Sequence, residues 1–197
     1  MRKIAIVSIM VLCLSCAPLE TGKRSGDALD INTSVSSNVL IDPPMQGQNM
    51  ALVKIIDPTN NDVLDLSNTI IHGLVRKGYQ VTNYPDSANY KILGNIVYAG
   101  EGAPAMVQKA HKSRYGTRLA LVRTSNNDLI AKAVSRLMAQ KAYLLIVDVN
   151  IQVRQSARGR SIRQSNKVRI VSDMGNYQEG AERLIGDRVS NAVLAMF

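Results

Sequence analysis

Chemistry that can be read from residue types is confined to the first sixteen positions. Cys13 and Cys16 are the two cysteines of the chain, and they stand in the order Cys13-Leu14-Ser15-Cys16. Arg2-Lys3 precedes them as a short positive region, followed by an apolar run over residues 4–14 broken by Ser8. That run is too short to cross a hydrocarbon core of about 30 Å, which takes about 20 residues. It has the form of a secretory signal peptide. A small Ser15 before Cys16 is the core of a bacterial lipoprotein cleavage site, after which Cys16 becomes the first residue and carries acyl chains on its thiol and amine. Cys13 departs from the usual pattern, which has Leu there, and bulky Leu12 before it makes it a poor acceptor itself. The competing reading is an ordinary cleaved signal with Cys16 unmodified. Cysteine arithmetic favours the lipid, because residues 17–197 hold no thiol with which Cys16 can pair. Several acyl chains exceed what stable membrane attachment needs. Ala17 follows the cysteine. An Asp there marks inner-membrane retention in enteric bacteria, so Ala17 points to the outer membrane.

Elsewhere the reactive residue types do not assemble. No P-loop, G-x-G-x-x-G or G-x-S-x-G occurs. The two histidines, His72 and His111, are far apart in sequence, and His72 reads as a surface residue of a helix. No cysteine is left for zinc. With no nucleophile, base and metal in a recognisable constellation, no enzyme and no cofactor beyond the covalent lipid on Cys16 are expected. The net charge is +9, or +7 once Arg2 and Lys3 leave with a signal peptide. A positive field attracts phosphate, anionic lipid or acidic polysaccharide without choosing among them. The basic residues have no aromatic interleaving, so nucleic acid is not expected. They gather instead at Arg154, Arg158, Arg160, Arg163, Lys167 and Arg169, a candidate contact for an anionic surface or a partner subunit. A solvated charged hairpin is the plainer reading of the same residues.

The elements that would carry these groups follow from periodicity. Residues 51–56 are apolar and β-branched, a strand. Residues 62–77 repeat apolar side chains at Val63, Leu66, Ile70, Ile71 and Leu74, a helix capped by Asn61 or Asp62 and closed by Gly78. Residues 79–84 and 90–99 read as further strands, paired antiparallel through the Pro85-Asp86 turn, with Tyr90, Ile92, Ile96 and Tyr98 on one face. Residues 38–42 are a short strand candidate before Pro43-Pro44. Residues 128–140 have a helical stripe. Residues 142–153 alternate as a strand with one wet face, returned by residues 167–172 through a turn at 158–161. Residues 178–197 form an amphipathic helix with Ala181, Leu184, Ile185, Val189, Ala192, Val193 and Met196 on its apolar face. The reading is an α/β (α+β) single domain, a mixed sheet with helices packed mainly on one face. It is divided as signal peptide 1–15, lipidated flexible tether 16–37 and domain 38–197.

Val39-Leu-Ile-Asp-Pro43, the strand 51–56, Lys77-Gly-Tyr-Gln-Val81, Pro85-Asp86, Tyr90 and Asn95 resemble, in order and spacing, the TraT family of outer-membrane lipoproteins of conjugative plasmids. The similarity resumes near Leu129, runs through residues 143–151 and ends in the closing helix. The resemblance implies a non-enzymatic outer-membrane protein linked to surface exclusion in conjugation and to complement resistance, acting as a ring-like homo-oligomer. Residues 100–126 depart from the family, which carries a longer Gly/Ala-rich apolar stretch there. Here the longest apolar run is Leu119-Ala-Leu-Val122, too short to enter a bilayer, so lipid is the expected anchor. The basic cluster Lys109, His111, Lys112, Arg114, Arg118 and Arg123 in this stretch reads as an exposed loop, or as a contact for lipid phosphates. The alternative function is a periplasm-facing lipoprotein that scaffolds an envelope assembly or secretion machine and docks through the basic hairpin.

Overall fold

A computed structural model describes residues 30–58, 64–119, 142–157, 160–175 and 180–197. Its elements are β1 (Ile31–Val35), β2 (Met50–Ile56), α1 (Leu66–Arg76), β3 (Gln80–Val81), β4 (Tyr90–Gly102), α2 (Pro104–His111), β5 (Ala142–Ala157), β6 (Arg160–Met174) and α3 (Ala181–Leu194). The six strands form one mixed sheet in the order β1-β6-β5-β4-β2-β3. With the helices this is a single α+β domain. Helices 128–140 and the cap candidates Asn61 and Asp62 fall outside the described residues.

One face of the sheet carries the main core. Helix α1 begins after Asp65, whose carboxylate accepts from the Asn68 amide, so the cap is Asp65 rather than Asn61 or Asp62. Its buried residues Leu66, Ile70 and Leu74 recur at helical spacing and lie against the sheet. Gly78 follows at φ 87°, the left-handed turn foreseen for it. Helix α3 lays Ile185, Val189 and Val193 beside α1. Leu184, assigned to the same stripe by sequence, is 40% exposed instead. Gly73 permits the close approach of the two helices, because a Cβ there would stand 2.2 Å from Leu194. Each fully buried aliphatic side chain contributes about 1.5–3 kcal/mol, so this layer is the main source of stability. Tyr79, Tyr90 and Phe197 close one end of it, edge to face at 5.1, 5.6 and 6.2 Å.

The strand pairing differs from the expectation in two places. Strand β4 is not the hairpin partner of β3; both run parallel to β2, on opposite sides of it. Asn89 N–H already donates to Met50 O, so the Pro85–Asp86 turn steers the chain across the end of β2. The second difference is a β-bulge: Ile96 pairs with Val147, but Tyr98 pairs with Ile146. The extra residue reverses the alternation. Tyr90, Ile92 and Ile96 therefore face the main core, while Tyr98 packs on the other side.

At the sheet edge, β1 pairs antiparallel with the end of β6, Ile31 opposite Met174 and Val35 opposite Ile170. This strand falls within the stretch read as tether. Residues 38–42 are not a strand; Ile41 is buried, and its N–H donates to Met196 O at 2.6 Å.

Candidate functional site

The second face of the sheet is divided, and the division decides which polar groups are available. Over its first half the β5 residues Leu144 and Ile146, with Val171 of β6, are buried under α2 through Ala110, with Val107 and Met106 beside it. Residues 142–149 of β5 are thus buried on both faces, not wet on one. The stretch 100–119, read as an exposed loop, holds the end of β4 and α2. Pro104 starts that helix, where the missing N–H costs nothing.

Two polar clasps fix this layer. Asp148 and Arg169 are directly opposed across β5 and β6. Arg169 Nε donates to Asp148 Oδ1 at 2.6 Å and Nη2 to Oδ2 at 2.8 Å, a bidentate pair. Arg169 Nη1 donates to Ser113 Oγ at 3.0 Å and to Thr117 O at 2.9 Å, while Gly116 N–H donates to Asp148 Oδ2 at 2.9 Å. Arg169 is 1% exposed and Asp148 9%. The pair thereby pins the 113–117 turn to the sheet. In the second clasp, His111 at the end of α2 lies between two strands. Its Nε2 is 2.6 Å from Asp173 Oδ1 of β6 and its Nδ1 2.6 Å from Ser34 Oγ of β1. With a neutral ring, the acceptor Asp173 draws the ring proton onto Nε2 and leaves Nδ1 to accept from the serine. On the opposite face of the same ladder, the Thr33 and Ser172 hydroxyls meet at 2.8 Å.

A hydroxyl, an imidazole and a carboxylate in line are the parts of a proton relay. Acyl transfer would also need donors aimed at an oxyanion and room for a substrate. Three cavities of about 420, 390 and 370 Å³ lie elsewhere among the described residues, none of them lined by Ser34. These bonds tie α2 to β1 and β6. The sequence hid them, because Ser34 is 77 residues from His111 and Asp173 another 62 away. His72, by contrast, is exposed on α1 as expected.

Beyond Asp148 the same face is open. Along β5 it presents Asn150, Gln152 and Arg154; across the ladder stand Lys167, Ser165 and Arg163 of β6. Lys91 of β4 is paired with Gln152 and so joins the same row as Ser165. Arg154 and Arg163 are directly opposed. Arg154 donates to the main-chain oxygen of Asp86, which draws the 86–89 turn against the hairpin. Between them is a cavity of about 420 Å³ lined by Lys91, Gln152, Arg154, Arg163, Ser165 and Asp86 among others. Lys167 lies farther along, 5.6 Å over the ring of Tyr115.

The six basic residues foreseen as one surface are therefore not one surface. Arg154, Arg163 and Lys167 share the open half. Arg169 must be removed from the set: it is buried and bonded on all three guanidinium nitrogens. Arg158 lies outside the described residues, as does Cys16, and Arg160 enters as the ladder partner of Ala157. Lys91 was missed, because its place beside the hairpin follows from the β4–β5 register and not from the local sequence.

Residues 28–185 match the family described as Enterobacterial TraT complement resistance protein. The chain belongs to the TraT family. The matched span runs from before β1 into the first turn of α3, so it takes in both faces of the sheet. A TraT complement resistance protein of Escherichia coli is 25% identical over 99 residues, 50% of this chain and 39% of that protein. One from Wigglesworthia glossinidia brevipalpis is 24% identical over 100 residues, 49% of this chain and 41% of its own. The chain thus spans about two-fifths of the length of the curated TraT relatives it matches. Among solved structures, a PelC dodecamer from Paraburkholderia phytofirmans aligns over 81% of this chain and 93% of its own at 12% identity, with a TM-score of 0.35. No described helix is long and apolar enough to cross a membrane.

Proposed function

We propose that this TraT-family chain is a lipoprotein of the outer membrane, held by acyl chains on Cys16 and acting by contact rather than by catalysis. Its role is complement resistance, surface exclusion during conjugation, or both, and it works as a homo-oligomer. The observation that carries the reading is the TraT match over residues 28–185, and the Ser15-Cys16 sequence upstream of it, read as a lipidation signal, supports the anchor. Both activities ask for a stable surface displayed at the membrane and for no reacting group. The sheet, covered on one face and clasped over half of the other by Asp148–Arg169 and His111–Asp173, suits such a surface.

The test is a strain lacking the gene, complemented with the wild-type chain or with Cys16→Ala. Survival in serum and acceptance of a related plasmid are measured in parallel. The wild-type chain should raise survival, lower plasmid acceptance, or both, and Cys16→Ala should do neither. Equal serum killing and equal mating with and without the chain would refute the role. Light scattering of the detergent-extracted, lipidated protein tests self-association, and a monomeric mass would refute the oligomer.

A further inference from the structure

We propose that the groove between the 86–89 turn and the β5–β6 hairpin is a binding site for an anionic phosphate group, held by Lys91, Arg154 and Arg163. This inference rests on the sheet register and not on the TraT reading.

The register brings the three cations together. Lys91, Gln152 and Ser165 form one row across β4, β5 and β6, and Arg154 opposite Arg163 forms the next row on the same face. Same-face rows are about 7 Å apart, and directly opposed residues have Cβ atoms about 5 Å apart. Two arginines directly opposed repel. The chain neutralises an arginine where stability is at stake: Arg169, in the row next to Lys167, has a bidentate aspartate and two further acceptors. Arg163 and Lys91 have no carboxylate partner among the described residues. Arg154 gives one N–H to a neutral main-chain oxygen, that of Asp86, which orients the guanidinium and leaves its charge unopposed. Asp86 is the one acidic residue in the lining of the groove. Three cations against one acid leave a positive balance. A phosphate offers several acceptor oxygens, and guanidinium forks match that geometry. The cavity, about 420 Å³, is large enough for such a group with part of what bears it.

The anion can arrive as a soluble phosphate or as an anionic lipid headgroup, and the experiment separates the two. Full-length chain carrying Cys16→Ala, so that no acyl anchor contributes, is kept in a zwitterionic detergent and titrated with inorganic pyrophosphate by calorimetry at low salt. Saturable binding is expected, weakened by about tenfold or more in R154Q/R163Q, since each charge-assisted bond is worth at least that factor. K109Q/K112Q removes the same charge from exposed positions on and beside α2 and should leave the affinity unchanged. In the second arm the same chains are sedimented with phosphatidylcholine vesicles with and without phosphatidylglycerol. Extra binding to the anionic vesicles that is lost in R154Q/R163Q assigns the site to lipid; pyrophosphate binding without it assigns the site to soluble phosphate. Absence of both, or equal losses in R154Q/R163Q and K109Q/K112Q, overturns the proposal. R163Q alone removes an exposed charge that faces a like charge and keeps the Arg154–Asp86 bond, so it should unfold at the same temperature as its parent or higher and still weaken binding; a weakened binding in that variant cannot be loss of fold.

Discussion

Removing the Asp148 carboxylate should destabilise this domain more than deleting a typical core methyl group. In Asp148→Ala the guanidinium of Arg169 stays where the sheet puts it, 1% exposed, with two of its four hydrogen bonds gone. The Gly116 N–H loses its acceptor as well. Breaking one side of a buried ion pair costs about 3–5 kcal/mol, because the remaining charge is left uncompensated. Domains of this kind have about 5–15 kcal/mol in all, so the loss is a large fraction. The pair itself is a different matter: replacing both members with apolar residues removes the desolvation cost along with the attraction. Urea unfolding of the full-length chain, followed by circular dichroism, should therefore rank wild type first, Asp148→Leu/Arg169→Met close behind, and Asp148→Ala last by about 3 kcal/mol or more. A cost of less than about 1 kcal/mol for Asp148→Ala, the range of an exposed pair, would contradict the burial of this pair. A double variant no more stable than the single one would contradict it as well.

Three further outcomes follow from the other face. Tyr79 is buried and its hydroxyl has no hydrogen-bond partner among the described residues, so Tyr79→Phe should be neutral or stabilising by about 1 kcal/mol in the same urea assay. Burial, reinforced by Tyr90, pushes the Tyr79 hydroxyl up to about 12 from its ordinary 10.0. The folded state thus keeps a proton that the unfolded chain loses. This contribution is complete below about pH 10 and falls by about 1.4 kcal/mol per pH unit between about 10 and 12. Wild type should lose stability over that window relative to Tyr79→Phe, and parallel pH profiles would contradict the assignment. Gly73→Ala places a methyl group against Leu194 at the crossing of α1 and α3, for a cost of about 1–3 kcal/mol that exceeds the helix-propensity gain. Adding Leu194→Ala to Gly73→Ala should then cost less than Leu194→Ala costs alone; additive costs would show that the helices do not meet there.

What the sequence made legible was local. Periodicity located α1, α3, β2 and the body of β5, since a stripe of apolar residues at the right spacing is sufficient to say which face is covered. The turn at Gly78 was legible because few residues other than glycine tolerate its φ of 87°. The failures are all of partnership. Nothing within residues 79–99 says that β3 and β4 flank β2 and do not pair with each other. A single inserted residue at Val97 turned Tyr98 away from Tyr90, and alternation counted along the strand carried straight through it. Helix α2 is eight residues with one buried position, Ala110, so its stripe was too weak to see. Its consequence was the larger error. Once α2 covers the second face, Asp148 and Arg169 become a buried pair and not part of a solvated hairpin. The candidate site was half legible for the same reason: Arg154, Arg163 and Lys167 are visible as a basic run, whereas Lys91 joins them through the sheet.

The proposed lipid on Cys16 is decided by intact-mass spectrometry of the native protein beside a Cys16→Ala control. A chain that lacks residues 1–15 and carries added acyl mass is expected, with both changes lost in the control. An unmodified chain beginning at any residue would contradict the anchor, and the outer-membrane role built on it would have to be abandoned.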